Sequence, residues 1–318
     1  MIRRTWQAAM IGLARSNTVQ SFMQNSRATS FLRGKYVAGD NGDAGCARAV
    51  SLFKSSGIRS SMFFMGEYVD DPALVKETLR QKLAVADAIA AHQLDIHISV
   101  DPTQIGHVIT PEAVEDHAQT IAQKVRELAG PSTGVHCLML DMEDASLNTP
   151  TIALHNSLQD KGLPVALTLQ AYLRRTWGDM EQQVRRGSRV RLVKGAFAAG
   201  PKLAFQSKAE IKHNSRRLIE LMFSDTAKEC GFYPIIATHD TILHTFTIET
   251  ARRNGWAQGE YEFEMLLGVR EDVAKTLADK GERVRLYVPF GRDWWPHAVR
   301  RIGENPANAA LLIRSLFQ

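Results

Sequence analysis

Cysteine is scarce in this chain: there are only three, Cys46, Cys137 and Cys230, and no two of them are close together. This spacing excludes a disulfide framework and a CxxC zinc site, and it suggests a reducing compartment. Long hydrophobic runs are also missing, because the longest apolar segments are only strand-sized. We therefore expect a cytoplasmic globular protein without a transmembrane helix.

Acidic residues are absent before Asp40, whereas the same segment holds six basic ones: Arg3, Arg4, Arg15, Arg27, Arg33 and Lys35. Such an arm can touch anionic lipid, act as a transit peptide, or pack on the main domain as a helix, and we favour the last. Peripheral contact with the inner face of the membrane stays open. Basic clusters paired with stacking aromatics are missing elsewhere, so we expect no nucleic-acid partner.

What the 318-residue chain does have is regular alternation from residue 60 onward. Short apolar segments predict eight strands, at 61–67, 94–101, 135–143, 164–171, 189–196, 234–238, 261–268 and 284–291. Amphipathic stretches between them predict helices, for example at 71–91 and 111–129, with the longest at 206–231. Near-continuous apolar strands indicate a parallel sheet covered by helices.

Eight such units in one chain predict an α/β fold, a distorted (β/α)8 TIM-like barrel. We expect the barrel over residues 60–318 and an N-terminal helical arm over residues 1–59. In barrels of this kind the chemistry lies at the C-terminal ends of the strands. The polar candidates there are Glu67, Asp101, Asp141, Glu143, Asp144, Gln170, Lys194, Thr238, His239, Asp240, Glu264 and Tyr287.

Few histidines accompany these carboxylates, which argues against a metal centre. Only His239 lies at a strand end, and His97 sits inside a strand, where a core histidine is typical. The acids of Asp141–Asp144 could hold magnesium, but helix capping and ion pairs explain them equally well. No GxGxxG follows a strand, so a Rossmann-type nicotinamide site is not supported.

The segment RLVKGAF contains two candidate groups, Arg191 and Lys194. Strand alternation places Arg191, Val193 and Gly195 on one face, so an inward Arg191 could stabilise an anionic reduced flavin. Lys194 could bind phosphates, reach solvent, or form an imine as in a lysine-dependent lyase. The small Gly195 and Ala196 would let a flat ligand approach the backbone.

Two further segments carry candidate binding groups. After strand six, Thr238 and His239 could contact a cofactor, while Asp240 could cap the next helix. Near the C-terminus, Arg300 and Arg301 follow an aromatic pair and precede Glu304. Paired guanidiniums bind a small carboxylate in a planar, bidentate way, although a solvated pair is the alternative.

In combination, these motifs resemble the proline dehydrogenase family, in particular its small monofunctional bacterial form. The resemblance covers nearly the whole chain. It rests on KYVAGD (Lys35–Asp40), FMGEYV (Phe64–Val69), DMED (Asp141–Asp144), LTLQAYLRRT (Leu167–Thr176), RLVKGAF (Arg191–Phe197), ATHD (Ala237–Asp240), EFEMLLGVR (Glu262–Arg270) and YVPFG…RRIGEN (Tyr287–Asn305).

The resemblance implies a barrel that holds non-covalent FAD, oxidises L-proline to 1-pyrroline-5-carboxylate by hydride transfer to flavin N5, and passes the electrons to a quinone. It implies catalytic roles for Arg191, Asp141, Tyr287 and Asp101, and binding of the imino-acid carboxylate by Arg300, Arg301, Tyr287 and Glu304. The implied cofactor contacts are Gln170, Arg191, Val193, Lys194, Gly195, Ala196, Thr238, His239, Glu264, Arg301 and Glu304.

Four positions depart from the family pattern. Asp101 replaces a lysine that helps to hold the carboxylate, Phe197 and His297 replace tyrosines, and Glu264 replaces a glutamine. A charged Asp101 at ~4 Å would repel the substrate carboxylate by at most about 4 kcal/mol at an effective dielectric constant near 20. The chain could bind proline more weakly, prefer a hydroxylated or amino-bearing proline, or be a sensor that has lost turnover.

Overall fold

The structure is a computed structural model that describes residues 34–66, 69–292 and 294. Its centre is a closed barrel of eight parallel strands in sequence order, in which β8 pairs with β1 from Arg59↔Arg285 to Phe64↔Phe290. This confirms the predicted fold. The strands are β1 Arg59–Phe64, β2 His97–Val100, β3 Cys137–Leu140, β4 Val165–Gln170, β5 Arg189–Val193, β6 Tyr233–Ala237, β7 Glu262–Leu266 and β8 Val284–Phe290.

Helices surround the barrel and connect successive strands. They are α1 Gly42–Ser56, α2 Pro72–Ala91, α3 Ala113–Ala129, α4 Asn148–Asp160, α5 Thr176–Arg185, α6 Lys208–Met222, α7 Asp225–Glu229, α8 Thr241–Arg253 and α9 Glu271–Asp279. Short 3-10 turns at Pro102–Ile105 and Ala145–Leu147 follow β2 and β3. The start signals agree with the sequence, since Asp71 caps α2 and Pro72 occupies its first turn.

The single long helix predicted at 206–231 is wrong. The chain leaves the helix at Phe223 and starts α7 after Ser224, whose hydroxyl accepts a hydrogen bond from the Ala227 backbone N–H at 3.2 Å. Because a serine N-cap satisfies the free N–H groups of a new helix, it divides the stretch in two. The longest helix within the described ranges is instead α2, with 20 residues.

The two faces of the barrel wall differ in polarity. Outward strand residues such as Met62, Ile98 and Leu140 are fully buried against the helices and form the main hydrophobic core. Inside the barrel, apolar packing includes the small cluster Cys137, Met139, Ala166 and Ile235. Buried charged side chains occupy other interior positions, where barrels usually hold branched aliphatic residues. The barrel interior therefore holds charged groups that could bind a ligand or take part in a reaction.

The described part of the predicted arm contains α1, which packs on α2, β1 and β8. The contact is close at Gly45, where an added Cβ would lie 2.8 Å from Met62 Cε. Residues 1–33 lie outside the described part, so the predicted boundary at residue 59 stays a prediction. Among the residues that are described, no helix is both long and apolar enough to span a bilayer.

Candidate functional site

Arg191 lies inside the barrel on β5, with 4% of its surface exposed. Its Nη1 donates to Glu264 Oε1 at 2.6 Å, and its Nε and Nη2 donate to Thr168 Oγ1 at 3.1 and 2.9 Å. Nη2 also forms an ion pair with Asp141. Side chains from β4, from β7 and from the residue after β3 thus hold the guanidinium in one orientation, and Arg191 points inward as predicted.

Asp141 directly follows β3 and joins the surrounding strands. Its Oδ2 accepts hydrogen bonds from Ser99 Oγ at 2.7 Å and from the Tyr287 hydroxyl at 2.8 Å. Thr168 Oγ1 lies 3.5 Å from Oδ1, on the side of the carboxylate that Arg191 approaches. A carboxylate surrounded by donors is stabilised in its charged form, so Asp141 can act as the fixed counter-ion of the arginine.

Glu264 is the second acid at Arg191, and it is 2% exposed. Burial raises the pKa of its carboxyl group, while the charge of Arg191 acts in the opposite direction. Oε1 binds Arg191, whereas Oε2 is buried and has no hydrogen-bond partner within the described ranges. This glutamate therefore carries one polar atom in the barrel that the described residues leave unused.

Tyr287 on β8 completes the group with an aromatic ring. The ring centroid lies 5.0 Å from that of Phe63 on β1, and Arg191 Cζ lies 5.4 Å from the Tyr287 centroid. Its hydroxyl is fixed by Asp141. A ring that is held at its edge and on its face has little freedom to turn, so it can serve as a wall for a small cyclic ligand.

Gln170 ends β4 and is 2% exposed. Its Nε2 donates to the backbone carbonyl of Glu143 at 2.7 Å, which fixes the orientation of the side-chain amide. The carbonyl oxygen Oε1 is then buried and without a partner among the residues that the structure describes. Because unpaired buried polar atoms are costly, Oε1 is a candidate acceptor for a ligand N–H.

The carboxylates of the DMED segment do not converge on one point. Asp141 faces the barrel interior, while Glu143 accepts hydrogen bonds from the Thr103 hydroxyl at 2.6 Å and backbone N–H at 3.0 Å. Asp144 accepts from the Ser146 backbone N–H at 2.8 Å and caps the 3-10 turn. Structural bonds thus account for two of the three acids, and no magnesium site follows from this segment.

Asp101 follows β2 and is 7% exposed. It interacts electrostatically with Lys82 of α2, which is fully buried and donates from Nζ to the Ser99 carbonyl at 2.6 Å. Burial lowers the pKa of Lys82, and the Asp101 carboxylate acts in the opposite direction. Lys82 therefore opposes the repulsion expected between Asp101 and a substrate carboxylate, and that repulsion stays a prediction.

The loop after β5 is placed differently from the prediction. The strand ends at Val193, so alternation does not extend to Gly195, and Lys194 and Ala196 are exposed. Gly195 has φ +97°, and an added Cβ would lie 2.1 Å from the Tyr172 ring. Tyr172 and the backbone conformation therefore explain this glycine without a ligand. The predicted cofactor contacts of Val193, Lys194, Gly195 and Ala196 stay predictions.

The ATHD loop is half-buried after β6. Asp240 caps α8 by accepting from the Ile242 backbone N–H at 2.9 Å, and it pairs with Lys212 at 2.8 Å, which confirms the predicted cap. Thr238 Oγ1 accepts from the Asp240 backbone N–H at 3.2 Å, and His239 Nε2 accepts from that of Leu266 at 3.4 Å. Cofactor contacts by Thr238 and His239 stay predictions.

Several predicted site residues belong to segments that the structure does not describe. Glu67, His297, Arg300, Arg301 and Glu304 lie outside the described residues. Their predicted roles in binding the substrate carboxylate and the cofactor therefore stay predictions.

His97, Glu262 and Glu264 place possible metal ligands within 4.8 Å of one another inside the barrel. Both Glu262 oxygens, however, accept from Arg285 at 2.8 and 3.0 Å, and Glu264 Oε1 accepts from Arg191. Two nearby guanidiniums oppose a further cation. His97 itself is a buried core residue with Nδ1 at 2.9 Å from Ser61 Oγ, so we propose no metal here.

A cavity of about 470 Å³ opens at the opposite, N-terminal end of the barrel, where Ser132 and His136 form a hydrogen bond. His136 Nδ1 accepts from the Ile96 backbone N–H at 3.0 Å, so in the neutral ring Nε2 carries the proton. Nε2 then donates to Ser132 Oγ at 2.7 Å and cannot act as its base. The pair is not a hydrolytic nucleophile and base.

Sequence reasoning missed Ser99, Thr168 and Lys82. Ser99 and Thr168 could have been found, because each lies two residues before a candidate, Asp101 or Gln170, and so shares its strand face. Lys82 had a different signal. It is a charged residue within the buried and otherwise uncharged stripe of α2, which consists of Val75, Thr78, Lys82, Val85 and Ile89.

Comparison with known proteins connects this arrangement to one family. The family model described as "Proline dehydrogenase" matches residues 46–314. Proline dehydrogenase 1 of Bacillus subtilis subsp. natto is 30% identical over 284 residues, which are 89% of this chain and 90% of that protein. Proline dehydrogenase of Deinococcus radiodurans is 29% identical over 320 residues, covering all of both chains.

Solved structures agree on the fold. Proline utilization A from Bdellovibrio bacteriovorus matches with a TM-score of 0.78 and 20% identity, over 87% of this chain and 33% of that one. Its counterpart from Corynebacterium freiburgense gives 0.71 and 19%, over 99% and 35%. This chain thus spans about a third of each of those proteins. Given the family match over most of its length, the chain belongs to the proline dehydrogenase family.

Proposed function

We propose that this protein is a flavin-dependent proline dehydrogenase, which oxidises L-proline to 1-pyrroline-5-carboxylate and passes the electrons to a quinone. The observation that carries the proposal is the group at the C-terminal part of the barrel interior in which buried Arg191, Asp141 and Glu264 meet the half-buried Tyr287. It supports a site for a planar, redox-active ring and a small cyclic substrate, and family membership gives the substrate class.

The residues present fit a non-covalently bound FAD. The isoalloxazine ring carries an N–H donor and carbonyl acceptors, and it gains negative charge on reduction. Gln170 Oε1 and Glu264 Oε2 are buried acceptors without described partners, which suits a ring N–H. Arg191 holds a fixed positive charge nearby, which suits the reduced ring. Val193, Lys194, Gly195, Ala196, Thr238 and His239 would line the rest of the cofactor.

When bound, FAD would accept a hydride from the ring carbon beside the substrate nitrogen. The loss of one hydride and one proton turns the amine into an imine, and reduction of the quinone consumes the two electrons and two protons. The substrate amine must give up its proton before it can release electron density. The site therefore has to favour the neutral amine.

The protein groups around Arg191 would orient and stabilise the reactants. Asp141 balances the guanidinium and fixes the Tyr287 hydroxyl, so neither side chain has to reorganise during the reaction. The Tyr287 ring would pack against the substrate ring. Arg300 and Arg301, with Glu304 beside them in the sequence, would bind the carboxylate as a bidentate pair.

Anaerobic titration of the purified protein with L-proline tests the proposal. We expect a yellow protein whose flavin absorbance bleaches on addition of proline, with release of a product that forms the coloured adduct of 1-pyrroline-5-carboxylate with o-aminobenzaldehyde. A ubiquinone analogue should restore the oxidised spectrum. A colourless protein would reject the flavin, and a yellow protein that proline does not reduce would reject the enzyme in favour of a sensor.

The lyase alternative that depends on Lys194 has weaker support. Lysines that form imines are usually desolvated or placed beside another cation, which lowers their pKa. Lys194 is instead an exposed residue in the loop after β5. Borohydride trapping with a carbonyl substrate separates the two functions, because only the lyase would retain a covalent adduct.

Peripheral contact with a membrane would bring the protein to its quinone. The support is the excess of basic residues before Asp40, which suits an anionic lipid surface. Cosedimentation with vesicles that contain anionic lipid, compared with neutral vesicles, tests this part. Equal recovery from both kinds of vesicle would remove it.

A further inference from the structure

The cavity at the N-terminal end of the barrel combines charged and apolar side chains that the proposed reaction does not use. Its volume of about 470 Å³ lies within the range of small-molecule sites. The lining includes the charged Arg59, Asp95 and Arg283 and the apolar Phe53 and Ile89. A concave surface with apolar walls and a few charged groups is typical of a site for a small organic ligand.

The charges around this cavity do not balance. Glu262 binds Arg285 through both oxygens, and Asp95 is shared between Arg285 at 2.7 Å and Arg59 at 3.3 Å. Arg283 forms no ion pair within the described ranges. Three guanidiniums therefore meet two carboxylates, which leaves one positive charge without a counter-ion among these five groups.

Arg59 and Arg283 offer their donors to the same cavity. Burial lowers the pKa of Arg59, the Asp95 carboxylate opposes this effect, and the charge of Arg283 adds to it. Arg283 donates from Nη1 to the Tyr233 hydroxyl at the long distance of 3.4 Å, and its other N–H groups have no partner among the residues that the structure describes. A guanidinium in this state can bind a carboxylate through two parallel hydrogen bonds.

The acceptors of the cavity wall are largely occupied. The carbonyls of Ala90 and Ala129, at the ends of α2 and α3, accept from the backbone N–H groups of Gln93 at 2.9 Å and Ser132 at 3.1 Å. Ser60 lines the same wall, is 7% exposed, and has a hydroxyl without a partner in the described part of the chain. The groups left for a ligand are therefore mainly donors, which suits an anion.

Phe53 supplies an apolar surface beside this charge. It belongs to α1, is 40% exposed, and its ring centroid lies 5.8 Å from Arg59 Cζ. Covering an exposed phenyl ring with an apolar group removes hydrocarbon surface from water. An apolar body attached to an acidic group would contact the ring and the guanidiniums together.

We propose that this cavity binds a small organic carboxylate with an apolar body, whose carboxylate contacts Arg59 and Arg283 and whose apolar part packs on Phe53. The site lies at the opposite end of the barrel from Arg191 and is independent of the proposed function. A neutral molecule of the same shape would leave the excess charge without a counter-ion. An inorganic anion would leave the Phe53 ring uncovered.

Isothermal titration calorimetry of the full-length protein with three probes tests this inference. Benzoate has both the charge and the ring, benzyl alcohol has only the ring, and acetate has only the charge. At constant ionic strength we expect benzoate to bind at least about tenfold more tightly than either other probe, because only benzoate meets both the guanidiniums and Phe53.

Three variants locate the binding. Arg283→Met should weaken benzoate about tenfold or more and leave benzyl alcohol unaltered. Phe53→Ala should weaken benzoate about three- to tenfold. Lys54→Met is the control, because it removes one positive charge at an exposed neighbour of Phe53 that does not line the cavity.

Benzoate that binds no more tightly than benzyl alcohol, or whose affinity a folded Arg283→Met changes less than twofold, overturns the inference. If Arg283→Met does not fold, an unaltered benzoate affinity in Phe53→Ala overturns it. Binding at the mouth instead would change the flavin absorbance and would be insensitive to both variants. None of these results bears on proline oxidation, which the anaerobic titration tests separately.

Discussion

The barrel interior contains two buried arginines, each beside two acids. They differ in whether the hydrogen-bond acceptors around them are all occupied. Arg285, toward the N-terminal end, is fully buried; its Nε and Nη2 bind the two oxygens of Glu262, and it also bonds Asp95 at 2.7 Å. Burial alone would lower the pKa of Arg285, but Glu262 and Asp95 raise it above its usual range. Arg191, toward the C-terminal end, also forms ion pairs with two acids, Asp141 and Glu264.

The difference lies in the acceptors around each guanidinium. Glu262 uses both oxygens on Arg285, whereas Glu264 keeps Oε2 unused within the described ranges, and Gln170 Oε1 is similarly unpaired. A saturated cluster stabilises the fold, while one with spare acceptors can bind a ligand. The comparison assigns Arg285 to structure and Arg191 to chemistry, although both look alike in the sequence.

Replacing Arg285 should give the largest effect, and it should be on stability. Arg285→Met leaves Glu262 fully buried without its guanidinium, which costs about 3–5 kcal/mol of unfolding free energy. Arg283→Met is the matched control, because Arg283 lies two residues before Arg285, just ahead of β8, but is only half-buried. Urea denaturation followed by circular dichroism measures both, and equal midpoints would contradict the structural role.

Arg191→Met should affect activity most. Loss of a fixed positive charge at the reacting group lowers kcat about 100- to 1000-fold. Its cost in stability should be smaller than that of Arg285→Met, since Asp141 keeps two donors and Glu264, with its raised pKa, can take up a proton. Stopped-flow flavin reduction and urea denaturation measure the two effects, and a folded variant that keeps its rate would reverse the assignment.

Tyr287→Phe should have a moderate effect. The ring and its contact with Phe63 remain, but Asp141 loses the hydroxyl donor at 2.8 Å. We expect a decrease in kcat/KM of about tenfold, which corresponds to one hydrogen bond to a charged group. Steady-state kinetics with a dye acceptor measure it, and Tyr172→Phe serves as the control because the Tyr172 hydroxyl has no partner in the described residues.

Glu264→Gln should have the smallest effect, visible as a change in pH dependence. The pKa of Glu264 is raised on folding, so the folded state binds this proton more tightly than the unfolded state. Stability from this group is therefore lost as pH rises above the ordinary value of 4.5 toward the raised one. The Glu264→Gln variant should lack this loss. If the unfolding free energies of the variant and the unmodified protein change in parallel from about pH 5 to 8, Glu264 keeps an ordinary pKa.

Sequence patterns were sufficient for the barrel because its signals are local. Eight apolar segments of strand length, separated by amphipathic stretches, fix the number of units, and alternation within β5 correctly placed Arg191 inward. Predicted strand ends were less accurate. β5 stops at Val193, so the expected face of Gly195 was wrong, because its φ of +97° ends the extended backbone.

Long-range partnerships could not be read from the sequence. The charge of Asp101 was visible, but Lys82 lies 19 positions earlier on a helix, and only packing of α2 against the strands brings the two together. Likewise Arg191 and Arg285 are equivalent as sequence, and their different roles depend on which carboxylates the closed barrel places beside each.

The most direct test of the account is a crystal structure of the protein with FAD and tetrahydrofuran carboxylic acid, a substrate analogue that cannot be oxidised. We expect the flavin ring across the C-terminal mouth, within about 3 Å of Gln170 Oε1 or Glu264 Oε2, with the analogue between the ring and Tyr287. A cofactor bound at the N-terminal end beside Arg285, or a mouth filled by protein side chains, would contradict the division between the two arginines.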